Sequence, residues 1–591
     1  ALPWHGRGHR FKSGTVHYYV PFGFGKMRIS IMNGIEPIEP AKKLPTKEFL
    51  IGIAIIVALV IAFAYIPVLK KAINNIFIGD TSVKTIPPTS SPTSKVADWG
   101  FFLIPQLGNP LDDLQHVKWS RLTGLWWSRI QNLDGTYDWT FLDERTKQAQ
   151  EAGHNLIFEL KTGNNQIISE TECYNDVLET AKTEELFAAE LRLHSCPLKP
   201  EYLPKWKTFV KDVIERYDGD GKNDMPGLSK NFVMDLQIEN EPANSYYWHY
   251  GEDDGKVAAQ SLLELLKLSV EARDEADPST RIIGPGLVDP AYLKRCTANP
   301  NHAPACKQTF FKRNVAFTRE LLKHPEYFDA IDVHFFNYFK FDPYFIRDGI
   351  SWMREEMQRN GYQKPIYSLE WTGSIMMMVR AEGHSQEFAD YFPYTAELGS
   401  VEAFGEMYKN LSVPENKKYR AWFEEEQARE FPKLFTTMLA EGAERMVYVR
   451  FSDYTGLPDS WNSLWWNWQG IVRYEGSVAE PILIKKPGYY TYQLLEQKLF
   501  GYDKITILDL GNDIFAYKFT FKEGNPIIVA WTEGSPTTID LSRFGASGNV
   551  TVTRIVTELD RSNNPVRTPP TDVPASAVLI TDTPVFVEGA F

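Results

Sequence analysis

The stretch Asp235-Leu236-Gln237-Ile238-Glu239-Asn240-Glu241-Pro242 decides how this chain folds. The apolar run over 232–238 stops at Asn-Glu-Pro, which is typical of a buried strand that delivers a carboxylate to the end of a sheet. The stretch 365–371, PIYSLEW, repeats the pattern and carries Glu370 near its end. The two glutamates lie 129 residues apart (370 − 241). A shared site therefore requires a fold that returns the chain to the same edge of the sheet.

Strand-like and helical stretches alternate from Trp99 onward, which is the pattern of a parallel sheet covered by helices. Eight candidate strands occur, at 100–106, 123–130, 155–161, 232–239, 281–286, 328–335, 365–370 and 445–451. Helical patterns lie between most of them, for example at 141–152, 204–217 and 256–276. Eight such units predict a (β/α)8 TIM barrel, an α/β fold. A doubly wound open sheet is the alternative, and it is disfavoured because no G-x-G-x-x-G follows the first strand.

The predicted barrel brings the two glutamates together. Active sites in this fold lie at the carboxyl ends of the strands. Glu241 comes directly after the fourth strand and Glu370 ends the seventh, so we expect both on one face. Arg129 ends the second strand and His334 ends the sixth, and they are expected to point the same way. Two carboxylates on one face are what the cleavage of a glycosidic bond requires.

Residues 501–591 differ in character and predict a second domain. Short strand-like runs, separated by Gly, Asn and Asp turns, occur at 505–510, 514–521, 526–531, 550–556 and 577–580. This spacing is typical of an antiparallel β-sandwich. We therefore predict a catalytic barrel over 99–500 and a β-sandwich over 501–591 that packs against it.

The N-terminal region is predicted to anchor the chain in a membrane. Residues 49–69 are all uncharged, and their number matches one transmembrane helix across a bilayer core. A tail over 1–48 precedes this helix, and a linker over 70–98 with many Pro, Ser and Thr residues follows it. A cleaved signal peptide and a buried core helix are the alternatives.

Charge and cysteine content favour a protein that faces the outside of the cell. The 591 residues carry a net charge of −13, so the overall field disfavours nucleic acid as a partner. Among the possible pairings of four cysteines, Cys173 with Cys196 and Cys296 with Cys306 close short loops. Metal binding is the alternative, but no C-x-x-C spacing occurs. Since disulfides form in oxidising compartments, we expect a single-pass protein of the cell membrane whose barrel is extracellular.

The motifs around the two glutamates resemble those of clan A glycoside hydrolases, the retaining TIM-barrel group that includes families 5 and 39. The resemblance rests on 240–242 (Asn-Glu-Pro) after the fourth strand and on Glu370 at the seventh, and it covers roughly 99–500. Supporting matches are 135–139 (GTYDW), 216–221 (RYDGDG) and 486–489 (KPGY). It implies retaining hydrolysis of β-glycosidic bonds in an extracellular poly- or oligosaccharide, without a cofactor.

The resemblance also implies a role for each residue of the site. Glu241 is expected to be the acid/base and Glu370 the nucleophile, which must differ in protonation at the working pH. The expected neighbours are Asn240 at the sugar 2-hydroxyl, Arg129 as the cation that keeps Glu370 ionised, and His334 or Tyr338 as the residue that orients the nucleophile.

Structural roles remain open for each of these residues. Glu241 could be a helix N-terminal carboxylate on a surface loop, and Glu370 could be a salt-bridge partner at a strand end. Arg129 could form a structural ion pair, and His334 could be a hydrogen-bonded core histidine. Glu239 lies two residues before Glu241 and would face the same side of a regular strand, but the match to Asn-Glu favours Glu241.

Tryptophans are expected to line the sugar site. Trp371 follows the candidate nucleophile. The loop after the eighth strand contains four tryptophans, Trp461, Trp465, Trp466 and Trp468. Flat apolar rings match the faces of sugars, so Trp371, Trp461 and Trp466 are predicted to bind substrate. Packing at the barrel rim is the alternative for Trp371.

Two further expectations concern metals and rival functions. Asp218, Asp220 and Asp224 resemble the start of a calcium loop, although the Glu of an EF-hand is missing and a plain turn is the alternative. The rival function is a cell-surface structural or carbohydrate-binding protein that keeps the barrel without turnover. A phosphate-binding barrel is disfavoured because no Gly-rich loop lies near the last two barrel strands.

Overall fold

The computed structural model of the chain describes part of its 591 residues. The described residues are 16–22, 25–31, 98–102, 114, 116–132, 134–183, 194–230, 232–244, 247–248, 255–288, 290–299, 309–336, 343–373, 392–399, 403, 407, 411, 413–453, 468–476, 481–511 and 513–591. The chain divides into two compact units, 1–91 and 92–591.

The first unit contains one antiparallel hairpin, formed by β1 (Val16–Phe22) and β2 (Gly25–Ile31). The predicted transmembrane helix at 49–69 lies outside the described residues, and so does the predicted linker up to residue 97. Within the described ranges, no helix is both long enough and apolar enough to cross a bilayer.

The second unit is built on a closed parallel barrel of eight strands. The strands are β3 (Asp98–Phe102), β4 (Val117–Trp126), β5 (Asn155–Lys161), β6 (Met234–Ile238), β7 (Ile282–Val288), β8 (Ala330–Phe336), β9 (Ile366–Thr372) and β10 (Arg445–Tyr448). They neighbour one another in chain order, and β10 closes the barrel by pairing with both β9 and β3. The barrel fold and the order of its strands are thus as predicted.

The second barrel strand begins earlier than predicted. The sequence placed it at 123–130, but β4 runs from Val117 to Trp126 and is followed by a one-turn helix, α1 (Trp127–Ile130). The first half of β4 carries Ser120 and Arg121, both buried. These buried polar side chains interrupt the apolar pattern by which a buried strand is recognised.

Helices cover the outside of the barrel. They are α2 (Thr140–Glu151), α3 (Thr171–Thr183), α4 (Leu203–Tyr217), α5 (Lys256–Ala276), α6 (Pro290–Ala298), α7 (Thr309–Leu321), α8 (Pro343–Arg359), α9 (Thr395–Leu398), α10 (Lys417–Ala440) and α11 (Pro487–Leu499). One large apolar core lies between the helices and the outer faces of the strands. A smaller cluster, including Trp119, Ile157, Ile283 and Leu369, fills the barrel interior, so the barrel is packed and is not a pore.

The C-terminal residues form antiparallel sheets, as expected from their turn spacing. A hairpin of β11 (Val472–Gly476) and β12 (Pro481–Lys485) precedes α11. The later strands are β13 (Lys504–Ile507), β14 (Ile514–Thr520), β15 (Ile527–Thr532), β16 (Thr537–Ile539), β17 (Ser547–Arg554), β18 (Thr571–Pro574), β19 (Val578–Ile580) and β20 (Val585–Ala590). Six of them form one sheet in the order β13-β14-β15-β20-β17-β18, while β16 pairs only with β19. The second sheet has just two strands, so a sandwich of two comparable sheets is not shown.

The six-stranded sheet packs directly on the barrel helices. Tyr517 and Trp531 belong to the same apolar core as the barrel. Lys433 of α10 forms an ion pair with Glu533 at 2.7 Å, and Tyr517 Oη lies 3.2 Å from Thr437 Oγ1. The sheet is therefore attached to the barrel by a continuous core and polar contacts at its edge.

Cys173 and Cys196 form one of the two predicted disulfides, with their Cα atoms 5.8 Å apart. The bond joins α3 to the short segment 194–198. Cys296 is also disulfide-bonded, and its predicted partner, Cys306, lies outside the described residues.

Candidate active site

Arg121 lies on β4 inside the barrel and is completely buried. Its Nε donates to Gln237 Oε1 at 2.8 Å, and its Nη2 donates to Asn240 Oδ1 at 2.9 Å. Nη2 also lies 2.8 Å from Glu159 Oε2, and Nη1 forms an ion pair with Glu370. Because a guanidinium presents its donors in a rigid plane, Arg121 fixes the relative positions of side chains from β5, β6 and β9.

A bulge in β9 turns Glu370 inward. Between Tyr367 and Trp371, β9 contains one residue more than the stretches of β8 and β10 that pair with it. Leu369 packs in the barrel interior, and yet its neighbour Glu370 also reaches inward, to Arg121. An extra residue in one strand re-aims the side chains that follow it. The bulge therefore delivers Glu370 to the carboxyl end of the barrel.

The same bulge turns Trp371 away from the site. Its side chain is 1% exposed and belongs to the outer core. Its ring centroid lies 4.9 Å from that of Phe431 on α10 and 4.9 Å from that of Tyr448 on β10. The prediction that Trp371 binds sugar is therefore wrong, because Glu370 takes the inward direction and Trp371 packs between the strands and α10.

His334 lies on β8 and contacts both candidate carboxylates. Its Nδ1 is 2.7 Å from Glu241 Oε1 and 3.6 Å from Glu370 Oε2, and its Nε2 is 2.9 Å from Asp332 Oδ2. The neighbouring strand β7 leaves room for the ring with a glycine, since a Cβ on Gly286 would lie 2.3 Å from His334 Nε2. The imidazole is completely buried and therefore has little freedom to turn.

The chain after β6 separates Glu241 from Glu239. Both residues have left-handed backbones, with φ of +48° at Glu241 and +63° at Glu239. Glu239 is completely buried and accepts hydrogen bonds from Thr162 N at 2.6 Å and Thr162 Oγ1 at 3.0 Å. The single hydroxyl proton of Thr162 is shared between Glu239 and Cys196 O, which lies 2.9 Å from Thr162 Oγ1. Glu239 therefore ties the loop to the disulfide-bonded segment, whereas Glu241 faces His334.

Glu241, His334 and Glu370 converge closely. One oxygen of each glutamate and one imidazole nitrogen all lie within 4.8 Å of one another. Such a group could in principle hold a metal ion. A metal bound to Glu370 would have to share it with the buried guanidinium of Arg121, and two neighbouring cations repel strongly in a low-dielectric interior. These side chains are therefore better suited to act as a pair of carboxyl groups than to bind a metal ion.

Carboxyl groups outnumber cations around this pair. Arg121 and His334 face Glu241 and Glu370 together with the buried carboxyls of Glu159 and Asp332. Burial raises the pKa of Glu159. Burial alone would lower the pKa of His334, but the charges of Glu370 and Asp332 raise it well above its ordinary value. Strongly perturbed pKa values of this kind are typical of sites that handle protons.

The cation beside Glu370 is Arg121, and the assignment of that role to Arg129 was wrong. Arg129 lies in α1, past the end of β4, where its guanidinium is 4.1 Å from the centroid of the Trp126 ring. The error follows from the misplaced second strand. A strand that ended at residue 130 would have put Arg129 at the barrel mouth.

The remaining predicted site residues have different outcomes. Asn240 lies in the cluster, with its Oδ1 held by Arg121. Tyr338, Trp461 and Trp466 lie outside the described residues, so their roles stay predictions.

The predicted calcium loop is satisfied by its own backbone. Asp218, Asp220 and Asp224 each offer one oxygen within 4.8 Å of the others. Asp224 accepts from Gly221 N at 2.8 Å, and Asp220 accepts from Lys222 N at 2.7 Å. The carboxylates of this turn thus accept hydrogen bonds from its own backbone. Calcium binding stays a prediction.

Sequence reasoning missed Glu159, Gln237 and Asp332 as well as Arg121. Each lies within a barrel strand, in the runs NLIFELK, MDLQI, AIDVHFF and VKWSRLTGLW. A charged or amide side chain inside an apolar strand has to be paired when the strand is buried on both faces. That pattern could have indicated an interior polar network.

The sequence model of one known family matches part of the chain. Residues 113–253, which include β4, β5, β6 and Glu241, match the sequence model of glycoside hydrolase family 42, described as beta-galactosidase. No curated protein is similar to the chain in sequence. Part of the chain thus carries the pattern of a glycoside hydrolase.

Solved structures similar to the chain include three glycoside hydrolases. A family 39 glycoside hydrolase from Bacteroides cellulosilyticus WH2 is 12% identical, with a TM-score of 0.46, over 84% of this chain and 81% of that one. A glucosidase from Croceicoccus marinus is 12% identical, with a TM-score of 0.48, over 85% and 97%. CelM2, a bifunctional glucanase-xylanase from a metagenome library, is 11% identical, with a TM-score of 0.45, over 85% and 97%.

Proposed function

We propose that this chain is a retaining glycoside hydrolase that cleaves β-glycosidic bonds in an extracellular poly- or oligosaccharide. The approach of a Glu241 oxygen and a Glu370 oxygen to within 4.8 Å carries the proposal. Retaining enzymes hold their two carboxyl groups about 5–5.5 Å apart, whereas inverting enzymes leave about 6.5–9.5 Å for a water molecule. The close approach at this site supports the retaining mechanism.

The proposed reaction has two steps. In the first, a Glu370 oxygen bonds to the anomeric carbon while the bond to the leaving oxygen breaks, and Glu241 gives its proton to that oxygen. In the second, Glu241 takes a proton from water, the water oxygen bonds to the anomeric carbon, and Glu370 leaves as a carboxylate. The β configuration is restored because the carbon is inverted twice.

The surrounding residues support this division of work. Arg121 stabilises the negative charge of Glu370, which a nucleophile needs before each attack. Asn240 has its amide oxygen engaged by Arg121, so its amide nitrogen is available to donate, and we assign it to the sugar 2-hydroxyl. His334, which contacts both glutamates, orients them.

Substitution of each glutamate tests the proposal. Glu370→Gln is expected to abolish turnover, and Glu241→Ala to lower it by about 10²–10⁴-fold on substrates that need a protonated leaving group. Glu239→Gln is the matched control, because Glu239 contacts the disulfide-bonded segment, and it should lose much less activity. Aryl β-galactosides are the first substrates to test, since part of the chain matches a family described as beta-galactosidase. A wider panel of β-glycans should follow.

Product analysis separates the possible outcomes. Proton NMR during turnover should show the β anomer first, and azide should restore activity to Glu241→Ala with a β-glycosyl azide as product. An α anomer as the first product would contradict the retaining mechanism. Glycan binding without turnover, unchanged in both variants, would instead support the rival function of a cell-surface carbohydrate-binding protein.

The location of the enzyme is part of the same proposal. The Cys173–Cys196 bond supports an oxidising compartment, and the uncharged stretch at 49–69 supports attachment to a membrane. We expect an impermeant protease to release the barrel from intact cells that express the full chain. Protection of the barrel until the cells are lysed would contradict this orientation.

A further inference from the structure

Asp332 is a completely buried carboxylate at the centre of the polar network. Its Oδ1 accepts from Leu369 N at 2.8 Å, and its Oδ2 lies 2.7 Å from Gln237 Nε2 and 2.9 Å from His334 Nε2. These contacts come from β9, β6 and β8. Asp332 thus contacts groups from three strands, and it lies on the inner side of the pair of glutamates.

With Asp332 ionised, as the nearby charges of His334 and Arg121 favour, the donors and acceptors of this network can be assigned in only one way. Arg121 always donates, so the Gln237 atom that it contacts must be the amide oxygen, and the other end of Gln237 must be the donating nitrogen. The Asp332 carboxylate therefore accepts from Gln237 as well as from the backbone of Leu369. An ionised carboxylate accepts only, so His334 must carry a proton on Nε2.

This assignment determines what His334 offers to Glu241. Its second nitrogen, Nδ1, lies 2.7 Å from Glu241 Oε1, and a contact this short between two acceptors needs a proton between them. We propose that Asp332 is a positioning residue that acts through His334 to keep one proton shared between His334 Nδ1 and Glu241 Oε1. This inference rests on the proposed function, in which that proton is the one Glu241 gives to the leaving group.

The groups around the imidazole favour a shared proton. Glu241 and Glu370 face it on the side of the site, Asp332 faces it on the inner side, and β7 contributes only the uncharged Gly286. Burial alone would raise the pKa of Asp332, but the charges of His334 and Arg121 lower it below its usual range. Asp332 therefore stays ionised and keeps His334 basic.

The proton balance of the reaction follows. In the resting state, the Glu241–His334 pair holds one proton, which is bound either to Glu241 Oε1 or to His334 Nδ1. In the first step this proton moves to the leaving oxygen as the glycosidic bond breaks, and the pair is left without it. In the second step, the water that attacks the anomeric carbon returns one proton to the pair. Asp332 keeps its charge throughout and touches no substrate atom.

Asp332→Asn should disturb this balance selectively. An amide at this position cannot accept from Leu369 N, Gln237 and His334 at once, so the Nε2–H form of His334 loses its stabilisation. The neutral ring then carries its only proton on Nδ1, and this N–H forms a hydrogen bond to the ionised carboxylate of Glu241. We expect turnover of alkyl or phenyl β-glycosides to fall about 100-fold and that of 2,4-dinitrophenyl β-glycosides to fall less than about 10-fold, because the latter leaving group needs no proton.

Asp235→Asn is the matched control. Asp235 is also a buried strand aspartate, but it pairs with Arg445 at the opposite end of the barrel, 2.5 Å from its Nη1. The ratio of the two activities should not change in this variant. An equal loss on both substrates in Asp332→Asn would overturn the inference, because a general structural defect lowers both alike.

A second measurement does not depend on activity. In the full chain labelled with ¹⁵N-histidine, the signals that disappear in His334→Gln belong to His334. We expect the wild-type ring to be protonated on Nε2, with an Nδ1 shift between those of bare and protonated nitrogen. A wild-type ring protonated only on Nδ1 would overturn the inference even if Asp332→Asn does not fold. If the wild type cleaves no glycoside, the proposed function fails, while these spectra still decide the role of Asp332.

Discussion

The two ends of the barrel each bury an arginine, but they surround it differently. At the amino end, Arg445 pairs with Asp235 at 2.5 Å and with Asp98 at 3.2 Å. Its guanidinium also lies 3.4 Å from the centroid of the Trp119 ring and 4.6 Å from that of Tyr367. The charges of Asp235 and Asp98 also act on Arg281, so two arginines face two aspartates at this end, and aromatic rings cover Arg445 on its flat faces. Such an end closes the barrel and stabilises it.

The carboxyl end is not balanced in this way. Arg121 and His334 face four carboxyl groups, and two glutamates in the loop after β6 adopt left-handed backbones. Excess charge and strained backbone cost stability, and they persist where the surrounding structure enforces them. Burial of an arginine is common to both ends and therefore does not by itself indicate a site, and we expect the site at the end where carboxyl groups outnumber cations.

The largest expected effect comes from replacing each of the two arginines in turn. Arg121→Met leaves Glu159 and Glu370 buried without their cation, so we expect activity to fall by at least about 10³-fold. Arg445→Met leaves Asp235 without its partner and should lower the free energy of unfolding by about 3–5 kcal/mol, the usual effect of breaking a buried pair. Turnover per folded molecule should remain near the wild-type value in Arg445→Met.

Denaturant titrations and kinetics on the same samples check this comparison. Both variants are expected to lose stability, but only Arg121→Met should lose turnover once the folded fraction is taken into account. If Arg445→Met lost as much turnover as Arg121→Met, the two ends would not be functionally distinct.

A smaller effect is expected from the glycine that makes room for the imidazole. Gly286→Ala places a Cβ 2.3 Å from His334 Nε2 and 3.1 Å from Asp332 Oδ2, so the ring must shift. A misplaced catalytic group costs about 10²-fold in rate, and we expect a loss of that order. Gly534→Ala in the C-terminal sheet is the control, since its new Cβ meets its nearest neighbour at 3.5 Å. Equal losses in the two variants would contradict a special role for Gly286.

Much of the barrel could be predicted because its strands are short apolar runs separated by helical patterns. The order of those strands predicts that Glu241, Glu370 and His334 lie at one end of the barrel. Arg121 was missed because a charged residue lowers the apolar signal of its own strand, which moved the predicted strand past it. Trp371 was misassigned because a bulge leaves no trace in the sequence pattern and reverses the side of each residue that follows it.

The smallest expected effect compares histidines at the two ends. His334 is held among carboxylates, whereas His154, at the start of β5, lies near the amino end and contacts Ser120 Oγ at 2.8 Å. Burial, assisted by the charge of Lys118, lowers the pKa of His154 to about 4. An unfolded chain binds this proton near pH 6.5, so between pH 6.5 and 4 acid favours unfolding.

This histidine should therefore make the fold sensitive to mild acid. The loss of stability begins as the pH falls below about 6.5 and reaches roughly 2 kcal/mol at pH 5 for a single group with these two pKa values. His154→Gln cannot take up the proton, so its free energy of unfolding should fall less between pH 7 and pH 5 than that of the wild type. Urea titrations at both pH values measure the difference. Equal pH dependence in the two proteins would show that the amino end does not hold a neutral histidine.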